Sequence, residues 1–165
     1  MRTVILATTL ALASAAATAA PIADTDRTFL TSEVQGATYE VGIAKLATQK
    51  ATKPQIRAYS KKIVADHSTA NPELMRLAKS KSVTAPTGMS TADSARYEIL
   101  KGDSGTAFDK AYVDEITRIN SDDKDSFKKE MSATKDPQIK AYVAKFTRMD
   151  AMHAKMGEAL KPMVR

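Results

Sequence analysis

The chain has 165 residues, 43% of them hydrophobic, with 25 lysines and arginines against 19 acids and a net charge of +6. That length suits one domain with a packed interior. It holds no cysteine and no tryptophan, which excludes a disulfide framework, a thiolate metal cluster and a thiol nucleophile, and with few aromatics and no recognition motif it argues against nucleic acid as a partner.

Residues 1–20 carry one charge, Arg2, then an apolar run from Val4 to Leu12 and the small-residue triplet Ala17-Thr18-Ala19. This pattern predicts a cleavable secretory signal, hence a protein of the periplasm or cell envelope. The run is too short and alanine-rich to span ~30 Å of hydrocarbon. Residues 21–165 are then expected to form one domain, with 24 basic residues against 19 acids. The surplus is scattered, so it reads as solvated surface, and weak association with anionic envelope surfaces is the one partner class it suggests.

Four long helical segments follow. Asp26 is placed to cap a helix from Arg27 to Ala51, whose apolar stripe is Leu30, Val34, Ala37, Val41 and Ala44, with Glu40 beside the stripe. Pro54 suits the first position of a second helix with the stripe Ile56, Tyr59, Ile63, His67, Ala70, Leu74 and Leu77. Pro72 lacks an amide and clashes one turn back, so a kink is expected there, or a break with Asn71 capping a new segment. From Ser80 to Ser104 the chain is punctuated by Pro86, Gly88 and Gly102 around a short helix, Thr91 to Leu100, which Ser90 and Asp93 can cap reciprocally. A third long helix, Thr106 to Ala133, carries Val113, Ile116, Asn120, Asp123 and Phe127 at heptad spacing. The fourth, Pro137 to Met163, has the seam Tyr142, Phe146, Met149, His153, Met156, Leu160 and Met163.

Thr52-Lys53-Pro54-Gln55-Ile56-Arg57-Ala58-Tyr59 returns, with one inserted aspartate, as Thr134 to Tyr142, and each copy opens a helix holding one of the two histidines. No alternating β-branched run occurs, so the expected class is all-α. Two antiparallel hairpins joined by a long crossover containing a short helix predict a ferritin-like four-helix bundle, with a plain up-down-up-down bundle as the competitor.

Glu40, His67, Asn120, Asp123, Asp150 and His153 all fall near mid-helix, which at ~1.5 Å rise per residue puts them at one level. The leading expectation is a buried, hydrogen-bonded polar layer, including Asp66 and Asn120, that fixes helix register. The alternative is a metal site on Glu40, His67, Asp123, Asp150 and His153, holding iron, manganese, zinc or copper. An oxidase-type dinuclear centre is disfavoured, because Asp150-x-x-His153 has the paired spacing but Asp66 and His67 are adjacent and point about 100° apart. Met149, Met152 and Met156 around His153 form a soft set suited to Cu(I), against the commoner use of methionine as core filler. No nucleophile-base motif or phosphate loop is present, so the balance is against an enzyme.

Phe29, Glu40-Val41 with Lys45-Leu46-Ala47, Ile63-Val64-Ala65-Asp66-His67-Ser68 running to Asn71 and Leu74, Gly105-x-x-Phe108-Asp109 with Tyr112-Val113, and the late His153 give the chain a further reading. In these residues it resembles the exported bacterial family grouped as domain of unknown function four-one-four-two, whose members are labelled predicted outer-membrane proteins. The resemblance implies an exported, ferritin-like helical domain without an assigned activity. It also implies a further histidine in the third long helix, a place taken here by Asn120. The expected function is a non-enzymatic binding or stress-related interaction module, with transition-metal binding, storage or oxidation as the alternative.

Overall fold

Alanine, lysine, leucine and methionine lose little freedom in a helix, and the periodic segments rich in them become five helices in the computed structural model, which describes residues 22–165. These are α1 (Asp24–Lys50), α2 (Pro54–Ser80), α3 (Thr91–Gly102), α4 (Gly105–Ala133) and α5 (Pro137–Glu158), followed by a 3-10 turn at Lys161–Met163. No strand occurs among the described residues. The signal segment expected at residues 1–20 lies outside them.

Each copy of the repeat opens the returning arm of a hairpin, α1–α2 and α4–α5, and Ile56, Tyr59, Ile139 and Tyr142 are all buried. The hairpins dock with neighbouring helices antiparallel. Phe29 meets Phe127 with ring centres 5.7 Å apart, the Tyr39 hydroxyl donates to Glu115 at 2.8 Å, and the Thr52 amide donates to Asp109 at 2.9 Å. Along α1 and α4 the partners thus run in opposite order. Across α2 and α5 the order is likewise reversed, from Asp66 with His153 through Glu73 with Lys145 to Lys81 with Asp136. The segment 81–104 carries the chain back along the bundle. It lies close on α1, where a Cβ on Gly42 would sit 2.5 Å from the Met89 methyl.

Four expected details differ. α1 starts at Asp24, because the Ala23 carbonyl accepts from the Arg27 amide at 3.0 Å; Asp26 is therefore inside the first turn, where the helix dipole favours a carboxylate, and is not the cap. Pro72 neither breaks α2 nor brings Asn71 into a capping role. Ala70, Leu74 and Ala78 are buried on both sides of it, and that packing outweighs a local penalty of roughly 3 kcal/mol. Ser90 does accept from the Asp93 amide at 3.1 Å, but the return bond runs from the Ser90 hydroxyl to the Asp93 carboxylate at 2.6 Å instead of from the Ser90 amide. α5 ends at Glu158, five residues early, since Pro162 has no amide to offer the Glu158 carbonyl and the Leu160 amide closes on Gly157 at 2.9 Å.

The interior is divided in two. One cluster contains Tyr39, Ile43, Ile56, Tyr59, Ile63, Phe108, Tyr112 and Ile116, the other Phe29, Leu30, Leu74, Phe127, Ile139, Tyr142 and Phe146. Every long helix passes from one cluster to the other at its polar residue: Glu40 in α1, His67 in α2, Asn120 and Asp123 in α4, Asp150 and His153 in α5.

Candidate metal centre

At the boundary between the two apolar clusters, Glu40 from α1, His67 from α2 and His153 from α5 bring one donor atom each within 4.8 Å of one another. All three are buried, at 6%, 7% and 1% exposure. The imidazole rings stack with centres 5.9 Å apart and planes at 29°. His67 Nε2 lies 3.0 Å from Glu40 Oε2, yet at an angle that leaves the nitrogen without a hydrogen-bond partner. Contact and charge hold this pair, with no directed hydrogen bond.

The outer nitrogens are tied down by different groups. Asn71, one turn along α2, places its Oδ1 3.0 Å from His67 Nδ1. Asp66 places Oδ2 2.8 Å from His153 Nε2 and is itself gripped by Lys62 at 2.7 and 2.8 Å. An amide oxygen and a carboxylate oxygen only accept, so both ring nitrogens donate to them. In the neutral rings, the lone pairs are then on His67 Nε2 and His153 Nδ1. Outer-shell acceptors of this kind set the tautomer of metal-ligating histidines.

Beside Glu40 and His67 lies a cavity of about 20 Å³ that they line together with Glu33, Asp123, Asp150, Tyr142 and Met149. That volume holds a single water or ion. Burial and the nearby Asp150 push the Glu33 carboxyl up to about 8. Burial and the Glu40 charge raise Asp150 to about 7, and burial with the charges of Glu33, Glu40 and Asp150 raises Asp123 well above the usual carboxylate range. Burial opposes charge on His67, but contact with the Glu40 carboxylate more than reverses it and lifts the imidazole to about 9. Burial likewise opposes ionised Glu40, and His67 with His153 pulls its carboxyl below the usual value. The chamber therefore has more acid than it can ionise without an added cation.

The model of the family described as "Domain of unknown function (DUF4142)" matches residues 11–160. The chain belongs to this family. No curated protein matches it. Solved structures share its fold at low identity: CopM in the Cu(I)-bound form, with TM-score 0.67 and 15% identity over 81% of this chain and 93% of that one, and CopM in the Cu(II)-bound form, with 0.68 and 16% over 84% and 95%. The DUF305 fragment from Deinococcus radiodurans reaches a TM-score of 0.74 at 9% identity, over 87% and 99%.

In this DUF4142 chain, Glu40 does not lie beside the apolar stripe as expected. It lies on the buried stripe itself, three residues after Ala37 and four before Ala44, both buried, while Val41, expected on the stripe, is only partly buried. Asp123 and Asp150 line the adjoining cavity outside the close triplet. The carboxylate partner of His153 is Asp66 across the hairpin interface, and Asp150, three residues away, is left with Oδ2 unpaired. Asn120, at the place where the resemblance implies a histidine, is buried against Gly157, a Cβ on which would sit 3.3 Å from the Asn120 amide nitrogen and 3.7 Å from the Tyr59 hydroxyl. The three methionines do not form one soft box: Met149 packs with one apolar cluster, Met156 with the other, and Met152 is exposed.

Sequence reading assigns Glu33 no role and places Asn71 as a cap and Tyr142 in the apolar seam; the Tyr142 hydroxyl donates to Glu33 at 3.3 Å. Glu33 carried a usable signal. It precedes Glu40 by seven residues, two turns, and so shares its face.

Proposed function

We propose that this chain is an exported, non-enzymatic metal-binding protein that holds one divalent transition ion, Cu(II) or Zn(II), on Glu40, His67 and His153. The observation that carries the reading is the tie on each imidazole: each has one nitrogen committed to an oxygen acceptor, which leaves the other with its lone pair free, and one donor atom of each ring lies within 4.8 Å of a Glu40 oxygen. Two imidazoles and one carboxylate suit Zn(II) and Cu(II), and the same set also holds Fe(II); the choice of the first two rests on the copper-bound forms in which this fold is solved. A tetrahedral ion with bonds of about 2.1 Å separates its ligands by about 3.4 Å, so Glu40 and His67, 3.0 Å apart, are already close enough, and any wider separation within the triplet, at most 4.8 Å, would have to shorten to that value. A solved fold of this shape in copper-bound forms is consistent with such a role. The direction of the helices, up, down, down, up with a long crossover, supports describing the bundle as ferritin-like. The secretory pattern of residues 1–20 supports export.

Elemental analysis and calorimetry on protein recovered from its own compartment test the reading. The expected result is one Zn(II) or Cu(II) per chain, weakened at least a hundredfold in His67→Ala and in His153→Ala while helix content is kept. Metal-free protein that also refuses both ions when titrated would leave the Glu40–His67 pair as a register-fixing polar layer and reject the metal site.

A further inference from the structure

The α2–α5 face carries a second set of donors that the histidine centre does not use. Met149 and Met152 are three residues apart on α5 and so neighbours on one face. Both line a surface groove of about 290 Å³ together with Asp66 and Glu73 of α2 and Lys145 and Phe146 of α5. Met152 is one of four large apolar side chains exposed among the described residues, at 38%. A thioether standing in water at the edge of a groove contributes little to packing.

The groove abuts the interior. Ala70, Phe146 and Met149 line both it and the carboxylate cavity behind, so one layer of side chains separates them. At its rim, Asp66 is the residue that holds His153.

Charge decides which ion the groove suits. Its two acids are already neutralised, Asp66 by Lys62 and Glu73 by Lys145, whose ammonium also sits 5.1 Å from the centre of the Phe146 ring. A divalent ion would have to displace a lysine to gain a carboxylate. The remaining donors are two thioethers, Met152 exposed and Met149 half-buried at the edge of an apolar cluster, which are soft, uncharged and matched to a monovalent d10 ion.

We propose that this groove is a second metal site, binding a soft monovalent ion, Cu(I) or Ag(I), on Met149 and Met152. It stands on different residues from the histidine centre and calls for a different class of ion.

The test titrates Ag(I) as silver nitrate in chloride-free buffer into the full chain, with and without saturating Zn(II), and reads stoichiometry by native mass spectrometry and affinity by competition. One Ag(I) is expected per chain with the Zn(II) retained. Met149→Leu/Met152→Leu, a volume-conserving pair, should weaken Ag(I) at least tenfold, and Met152→Leu alone, at a residue that does not line the carboxylate cavity, should weaken Ag(I) while leaving Zn(II) within twofold. Met75→Leu, at an exposed methionine elsewhere, should change neither. Ag(I) affinity unchanged in the double variant, failure of Ag(I) to bind, or one-for-one expulsion of Zn(II) by Ag(I) would each overturn the groove site. Loss of Zn(II) binding alone, with the Ag(I) results as expected, would instead strike the histidine centre and leave the groove standing.

Discussion

At the scale of single residues, the centre is defined as much by what holds the imidazoles as by the imidazoles themselves. Asn71 touches no ion in the proposed arrangement, yet its Oδ1 fixes which nitrogen of His67 is free. Asn71→Ala should therefore lower Zn(II) or Cu(II) affinity by about 10–100-fold with the ligands intact, whereas Asn71→Asp, which keeps an acceptor oxygen, should retain most of it. Calorimetric titration of both variants checks this, and equal affinities would remove Asn71 from the site. The presence of His67, His153 and Glu40 near one level follows from counting along helices of known rise. Asn71 stayed hidden because proline follows it, and asparagine before a proline suggests a cap. The inward turn of Glu40 was within reach, since Ala37 and Ala44 stand three before and four after it on one face and the buried stripe runs through Glu40 instead of Val41. Periodicity reports which residues share a face; it does not report how many neighbours that face has.

At the scale of elements, the repeat makes two helix starts comparable within one molecule. Asp136 caps α5 by accepting from the amides of Gln138 and Ile139 at 2.9 and 3.1 Å, and it also pairs with Lys81. Lys53 stands at the corresponding place before α2 with nearly the same backbone, φ −82° and ψ 127° against −75° and 119°, and offers no side-chain cap. Asp136→Ala should cost about 1 kcal/mol, and Lys53→Asp should stabilise by a similar amount or somewhat less. Urea unfolding of both variants decides it, and a destabilising Lys53→Asp would contradict the equivalence of the two turns. The hairpins themselves were readable from the duplicated segment, because proline at a helix start and buried Ile and Tyr at fixed offsets are local signals. At Pro72 the sequence left a kinked, continuous helix and a break side by side, and continuity prevails through contacts from helices distant in sequence.

At the scale of the whole molecule, a charged layer between two apolar clusters ties stability to pH. Glu33, Asp150 and Glu130 have carboxyls raised to about 8, 7 and 7, the last by burial and by the facing Asp26. An acid whose value is raised on folding gives up stability as pH climbs from its unfolded value near 4 to its folded value, because only the unfolded chain releases the proton in that window. His67, raised to about 9, contributes stability that is complete below its unfolded value near 6.5 and is lost between there and about 9. Both terms therefore act in the same direction. Glu40 and Asp66, whose values are lowered, act only on the acid side, where their contribution disappears as pH falls below about 4. The metal-free protein should thus be most stable near pH 5 and lose stability progressively up to about pH 9. Zn(II) or Cu(II) replaces the His67 proton and supplies the charge the acids lack, so saturating metal should recover most of that loss at high pH and little of it near pH 5. Glu130→Gln, at the far end of the bundle from the histidines, should shallow the slope without altering metal affinity. Thermal unfolding across this range, with and without Zn(II), reads all three effects. A metal-free melting temperature that rises from about pH 5.5 to 8.5 would mean that the interior acids are not held as the fold requires.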